Sequence, residues 1–162
     1  MTDAAFDELV SRLDYPMYVV TTAAGDERSG CLVGFATQTA IDPPRFLVCL
    51  SKNNRTHRVA TGAATLVVHL LAEEQRPLAE LFGGETGDTV DKFARCAWSP
   101  GPDGVPVLDD CAGWFAGRVV GRYDLGDHTG LLLAPEAAHL PDARPALLTF
   151  DDVRDVDSGH DA

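Results

Sequence analysis

Basic residues are scarce in this sequence: 13 Lys and Arg stand against 25 Asp and Glu, a formal net charge of −12. Nucleic-acid binding draws on cations that neutralise phosphates, so this balance argues against DNA, RNA and anionic membrane surfaces. Long apolar runs are missing too. No uninterrupted stretch approaches the roughly 20 residues that cross a bilayer. The opening "MTDAAFDELVSRLDYP" has no basic start followed by an apolar segment, so no secretory signal is expected. We expect a soluble, cytoplasmic protein. Cysteines number four, Cys31, Cys49, Cys96 and Cys111, with no CxxC and no zinc-like spacing to a histidine. They read as reduced structural thiols, and no metal site is expected. Also absent are GxGxxG, HExxH and clustered carboxylates.

One further absence is local. No carboxylate falls between Pro43 and Ala72, a window that holds Arg45, Lys52, Arg55 and Arg58. What the chain does have is a core: 45% of its 162 residues are hydrophobic, enough for one domain over residues 1–150.

Residues 3–13 place Phe6, Leu9, Val10 and Leu13 at helical spacing. "YPMYVVTTA" reads as a strand, and "CLVGFATQTAI" reads as its hairpin partner, ended by "DPP". "RFLVCLS" is a third strand. "RTHRVAT" reads as a short helix capped by Asn53 or Asn54 and stopped by Gly62. "TLVVHLL" is a strand and "EEQRPLAELFGG" a helix, with Leu78, Leu81 and Phe82 on one face. "TVDKF" reads as a helical turn and "SPGPDGVP" as a loop. Two long strands, "CAGWFAGRVVGRYDL" and "TGLLLAPEAAHL", flank the turn "GDH", and "ALLTF" is a last short strand. Residues 151–162, rich in aspartate, read as a flexible tail. Strands joined by short turns, without βαβ alternation, predict a mainly β antiparallel barrel with a few short helices.

The stretch "LSKNNRTHR" runs from a strand end into a helix start. Helix N-termini present unpaired N–H groups and partial positive charge, which suits a phosphate. Ser51 and Thr56 add hydroxyls, and Lys52 and Arg55 add charge. The alternative is a solvated basic face whose arginines pair with carboxylates from elsewhere. His69 lies in an apolar strand and reads as a hydrogen-bonded core or interface residue. Trp98 and Trp114 read as packing or dimer residues, and Asp109-Asp110 as a capped turn.

Taken in order, "YPMYVVTT", "SGCLVGFATQTAIDPP", "FLVCLSKNNRT", "LVVHLL", "LAELFGG", "DKF", "VPVLDDCAGWFAGRV" and "GDHTGLLLAPEAA" resemble the flavin reductase-like, FMN-binding split-barrel family over roughly residues 10–140. The resemblance implies a six-stranded antiparallel Greek-key split barrel that forms a homodimer, with flavin near the subunit interface. It implies that backbone groups of Thr37, Gln38, Thr39 and Ala40 meet the isoalloxazine edge. Ser51, Lys52, Asn53, Arg55 and Thr56 would hold the ribityl chain and phosphate. Lys92 and Phe93, where the family often has Arg-Phe, would close over phosphate or ring, and Phe82 would stand near the flavin. Asp127 and His128 match the "GDH" turn on the nicotinamide side. His128 is the strongest side-chain candidate for a mechanistic role, with a turn-capping histidine as the alternative.

The activity implied is NAD(P)H-dependent reduction of FMN, with FAD also admissible and NADH or NADPH as hydride donor. One such role is the reductase half of a two-component monooxygenase, with an oxygenase as partner. Alternatives are a flavin-binding module without reductase activity, or a split-barrel oxidoreductase using deazaflavin, pyridoxine phosphate or haem. Two departures stand out. Ser29-Gly30 replaces the family's Asn-Gly, and Phe35 and Gln38 stand where small residues are common.

Overall fold

In the computed structural model, which describes residues 3–157, the chain begins with α1 (Ala4–Val10), then β1 (Tyr18–Ala24), β2 (Glu27–Val33), β3 (Ala36–Ala40), β4 (Arg45–Ser51), α2 (Arg55–Thr61) and β5 (Thr65–Leu70). A 3-10 turn at Glu73–Gln75 leads into α3 (Arg76–Gly84), and another covers Lys92–Ala94. The chain closes with β6 (Trp98–Pro100), β7 (Pro106–Leu108), β8 (Gly113–Asp124), β9 (His128–His139) and α4 (Phe150–Val153). Seven strands form one antiparallel sheet in the order β2-β1-β5-β8-β9-β4-β3, and β6 pairs with β7 separately.

Side-chain alternation decides where the cores lie. On β1, Val20 enters a core with Cys31, Val33, Val48, Leu50, Leu131 and Leu133, while its neighbour Val19 enters another with Phe82, Phe93 and Leu148. The central strands are thus buried on both faces, which is why "TLVVHLL" reads as one continuous apolar run. The first core draws residues from β2 at one end of the sheet order and from β4 near the other. His69 ties the layers together. Its Nδ1–H donates to the Val19 carbonyl (2.9 Å), and its Nε2 accepts from the Leu108 amide (3.0 Å). Burial lowers its pKa to about 4.

The structure departs from the sequence reading in several places. The strand expected over 31–41 is broken at Gly34-Phe35, and its halves lie at opposite edges of the sheet as β2 and β3. A Cβ on Gly34 would stand 2.6 Å from the Tyr15 ring, so only glycine lets the chain cross there. The sheet has seven strands, against the six that the resemblance implies for the barrel. The proline-rich loop carries the β6–β7 hairpin, held by the Gly101 amide on the Val105 carbonyl (2.8 Å). "ALLTF" forms no strand; Leu147 and Thr149 make isolated bridges to Ala72 and Pro16.

The segment expected as a flexible tail is packed as far as it is described, and residues 158–162 lie outside the described residues. Phe150, Val153 and Val156, three residues apart, join the second core. Arg76 holds the carbonyl of Asp152 and both oxygens of Asp155 (2.9 Å each), so acids expected to keep the segment in water anchor it instead.

Candidate functional site

Two cavities adjoin, sharing Gly87 and Lys92 in their walls. The first encloses about 320 Å³. Its apolar floor is built from Cys31, Val33, Leu50 and Phe82, which the inward faces of β2, β4 and α3 supply. Its aromatic wall is Tyr15, Phe35 and Phe150. Tyr15 stacks on Phe150 at 5.0 Å between centroids, and Phe35 lies 6.4 Å from Tyr15 and 5.2 Å from His128. At the polar side stand Ser51, Asn54, Glu85, Thr86 and Lys92. An elongated ligand with a flat apolar body and an anionic or hydroxylated end suits this division.

Strand pairing sets the polar end. Ser51, the last residue of β4, lies opposite His128, the first of β9. The Lys52 amide donates to the Asp127 carbonyl (2.9 Å), which locks the "GDH" turn against the "SK" stretch. Asp127 Oδ1 sits 2.7 Å from His128 Nδ1, and this bond holds the Asp127 carboxyl below the usual range. With the proton on Nδ1, the ring donates to Asp127, and Nε2 is left as an acceptor with no protein partner among the described residues.

Lys92 is the least expected feature. It is only 5% exposed, and its Nζ donates to the carbonyls of Phe82 (2.9 Å) and Gly30 (3.3 Å). Burial lowers its pKa, and it forms no ion pair among the described residues. Gly30 is required here, because a Cβ would stand 2.8 Å from the Phe82 ring.

The structure brings together Ser51, Phe82, Lys92 and His128 around the first cavity, with Asp127 behind His128. Arg55 and Phe93 line the second cavity with Lys92. Other expected residues are spent elsewhere. Lys52 pairs with Asp124 (2.8 Å) and is exposed, as is Asn53. Thr56 is fully buried, its hydroxyl 2.8 Å from that of Ser29. Thr37, Gln38, Thr39 and Ala40 lie on edge strand β3 and line neither cavity; Gln38 Nε2 bonds the Ala40 carbonyl (3.2 Å). Helix α2 is seven residues long, and Asn54 already takes the Thr56 and His57 amides (2.9 and 3.0 Å). The amides expected to meet a phosphate there are therefore partly used locally.

The basic window is likewise answered from outside itself. Lys52 meets Asp124, Arg55 meets Glu27 (3.7 Å), and Arg58 meets Asp88. Sequence reasoning missed Tyr15, Phe150 and Val156 as cavity residues, because their nearness depends on the bridge from Pro16 to Thr149. Phe35 left a signal, as a bulky departure from the family pattern.

The structure is a mainly β protein whose first cavity is apolar and aromatic over much of its wall, with Ser51, Glu85 and Lys92 among its polar residues. The chain belongs to the flavin reductase like domain family, whose model matches residues 10–157. It is 34% identical over 145 residues to FMN reductase (NADH) RutF of Methylorubrum extorquens, covering 90% of this chain and 70% of that one. The corresponding protein of Stutzerimonas stutzeri is 31% identical, with 90% and 83% covered. Among solved structures, NADH:FAD oxidoreductase SgcE6 of Streptomyces globisporus superposes with a TM-score of 0.80 at 25% identity, over 92% of this chain and 90% of that chain. The styrene monooxygenase flavin reductase of Pseudomonas putida superposes with a TM-score of 0.75 at 25% identity, over 89% and 90%.

Proposed function

We propose that this chain is an NADH-dependent flavin reductase that holds FMN in the first cavity. The observation that carries this reading is the cavity itself: an apolar and aromatic body with the buried Lys92 in its wall, which forms no ion pair among the described residues although Glu85 stands in the same wall. Flavin, when bound, supplies the redox chemistry by taking two electrons from a reduced nicotinamide. The chain's own part is placement. Phe82, Leu50 and Val33 exclude water from the ring's body, and Phe35 and Tyr15 cover it. Lys92 and Ser51 hold the anionic tail. Asp127 fixes the His128 tautomer, so that Nε2 accepts a proton or a hydrogen bond at the cavity rim.

The reading extends to assembly. Strand β3 is an open sheet edge, flanked by Phe35 (57% exposed) and Ile41 (83% exposed), and such an edge is normally covered. A second copy covering it in a homodimer would bring the backbone of Thr37 to Ala40 beside the ring. The shared core of β2 and β4 supports a sheet rolled into a split barrel. Free cysteines at all four positions fit a reducing cytoplasm. No helix among the described residues is long and apolar enough to cross a membrane. The reduced flavin would pass to a flavin-consuming oxygenase.

The test is direct. Purified protein mixed with FMN should oxidise NADH, followed at its near-ultraviolet absorbance band. Folded protein that binds FMN without oxidising NADH would instead mark a flavin-binding module.

A further inference from the structure

Three aromatic side chains wall the first cavity, and they are not held alike. Tyr15 and Phe150 both pack against the second core and stack on each other at 5.0 Å, with their planes 12° apart. The Phe150 amide donates to the Tyr15 carbonyl (2.8 Å), and the Arg154 guanidinium lies over the Phe150 ring (4.5 Å). Phe35 joins neither core and is 57% exposed. Its ring neighbours are His128, tilted by 50° at 5.2 Å, and Tyr15, tilted by 53° at 6.4 Å, and both line the same cavity. His128 is itself held by its bond to Asp127 (2.7 Å).

The backbone under Phe35 is fixed. Its carbonyl accepts from the Cys49 amide (2.9 Å), and the Ala36 amide donates to the Gly34 carbonyl (3.1 Å). An anchored backbone therefore carries a ring that packing leaves free to change rotamer, which exposed side chains do in picoseconds to nanoseconds. The aromatic wall has one movable ring between two fixed neighbours. We propose that Phe35 sets the affinity for the hydride donor: its ring covers the open face of the bound flavin, and it must swing out before a nicotinamide stacks there. The proposal rests on the first cavity being the flavin site. Nicotinamide and Phe35 then compete for one place, so the donor's apparent affinity is reduced by the fraction of time the cover stands open. The returning ring also helps to expel the oxidised donor.

Titration of the FMN-loaded chain with NAD⁺, followed by the shift of the flavin's visible band, tests this, because two oxidised partners bind without reacting. Phe35→Ala should tighten NAD⁺ binding about threefold to tenfold, the scale of one aromatic pair. The same variant should weaken FMN binding by a similar factor, because the ring that bars one ligand covers the other. KM for NADH should fall without a rise in kcat. Phe35→Tyr, which keeps the ring, should show neither shift in affinity, and Phe35→Leu should fall between. Opposite shifts are the signature, since a cavity merely loosened by the substitution would weaken both ligands. Weakening of both, an unmoved NAD⁺ affinity, or a Phe35→Ala variant altered only in its oligomeric state overturns the proposal and leaves the flavin site standing. Wild-type protein that does not bind FMN overturns the first-cavity reading with it.

Discussion

The two cavities meet at one lysine and are made by different means. Strands β2 and β4 and helix α3 build the first from residues whose burial the hydrophobic pattern already demands. The β1–β2 turn and the loop over residues 85–91 build much of the second, with charged side chains that water would accept equally well. The contrast teaches where rigidity ends. The first cavity is a by-product of core packing, and a substitution in its floor is a substitution in the core. Much of the second is a surface arrangement, and its exposed residues, such as Arg28 and Asp91, can change with little effect on stability.

The sharpest way to break the comparison is at Phe82, which floors the first cavity and meets Phe93 edge-on at 5.6 Å. Phe82→Ala should cost about 3–5 kcal/mol of stability, read from the denaturant midpoint. A loss below about 1 kcal/mol would show that the floor is independent of the core.

The next effect belongs to neither cavity and separates fold from site. His69 is buried neutral with a pKa near 4, below its ordinary 6.5. Its contribution is therefore present above pH 6.5 and is lost as pH falls towards 4, about 3 kcal/mol in all. Denaturant midpoints across that range should fall in the wild type, and His69→Leu should flatten that part of the profile.

Lys92 sharpens the comparison, because both cavities share it. Lys92→Met should weaken FMN binding by about 2 kcal/mol, some 30-fold, through loss of a charge-assisted contact. An unchanged FMN affinity in titration would remove the lysine from the site. The smallest effect is expected at Asp127, whose carboxylate touches His128 and not the cavity. Asp127→Asn should lower kcat/KM for NADH about threefold to tenfold with FMN affinity kept, as a lost positioning contact does.

Particular residues show how far the sequence could be read. The helix "RTHRVAT" follows from local rules, which leave Asn53 or Asn54 as its cap; α2 has those bounds, with Asn54 as the cap. "CLVGFATQTAI" reads as one strand by the same rules. Its break falls at Gly34, where a Cβ would meet the Tyr15 ring from a separate segment, a proximity that no local pattern records. Ser51, at a strand end, and His128, matched to the "GDH" turn through the family resemblance, were candidates in the sequence, and both line the first cavity. The availability of Lys52 was not, since Asp124, its partner, is brought by the β8–β9 hairpin.

What the sequence determined alone was the position of β1, β4, β5, β8 and β9, the buried alternation within them and the side chains that the "SK" and "GDH" turns carry. Those depend on neighbours along the chain and on the aversion of apolar side chains to water. Tertiary structure alone decided which cations are neutralised, that Phe150, Val153 and Val156 wall the first cavity, and that Lys92 is enclosed on backbone carbonyls with no ion pair among the described residues. Electrostatic partnership and enclosure depend on distances in space, and hydrogen-bonded strand pairing sets those distances between residues far apart in the chain.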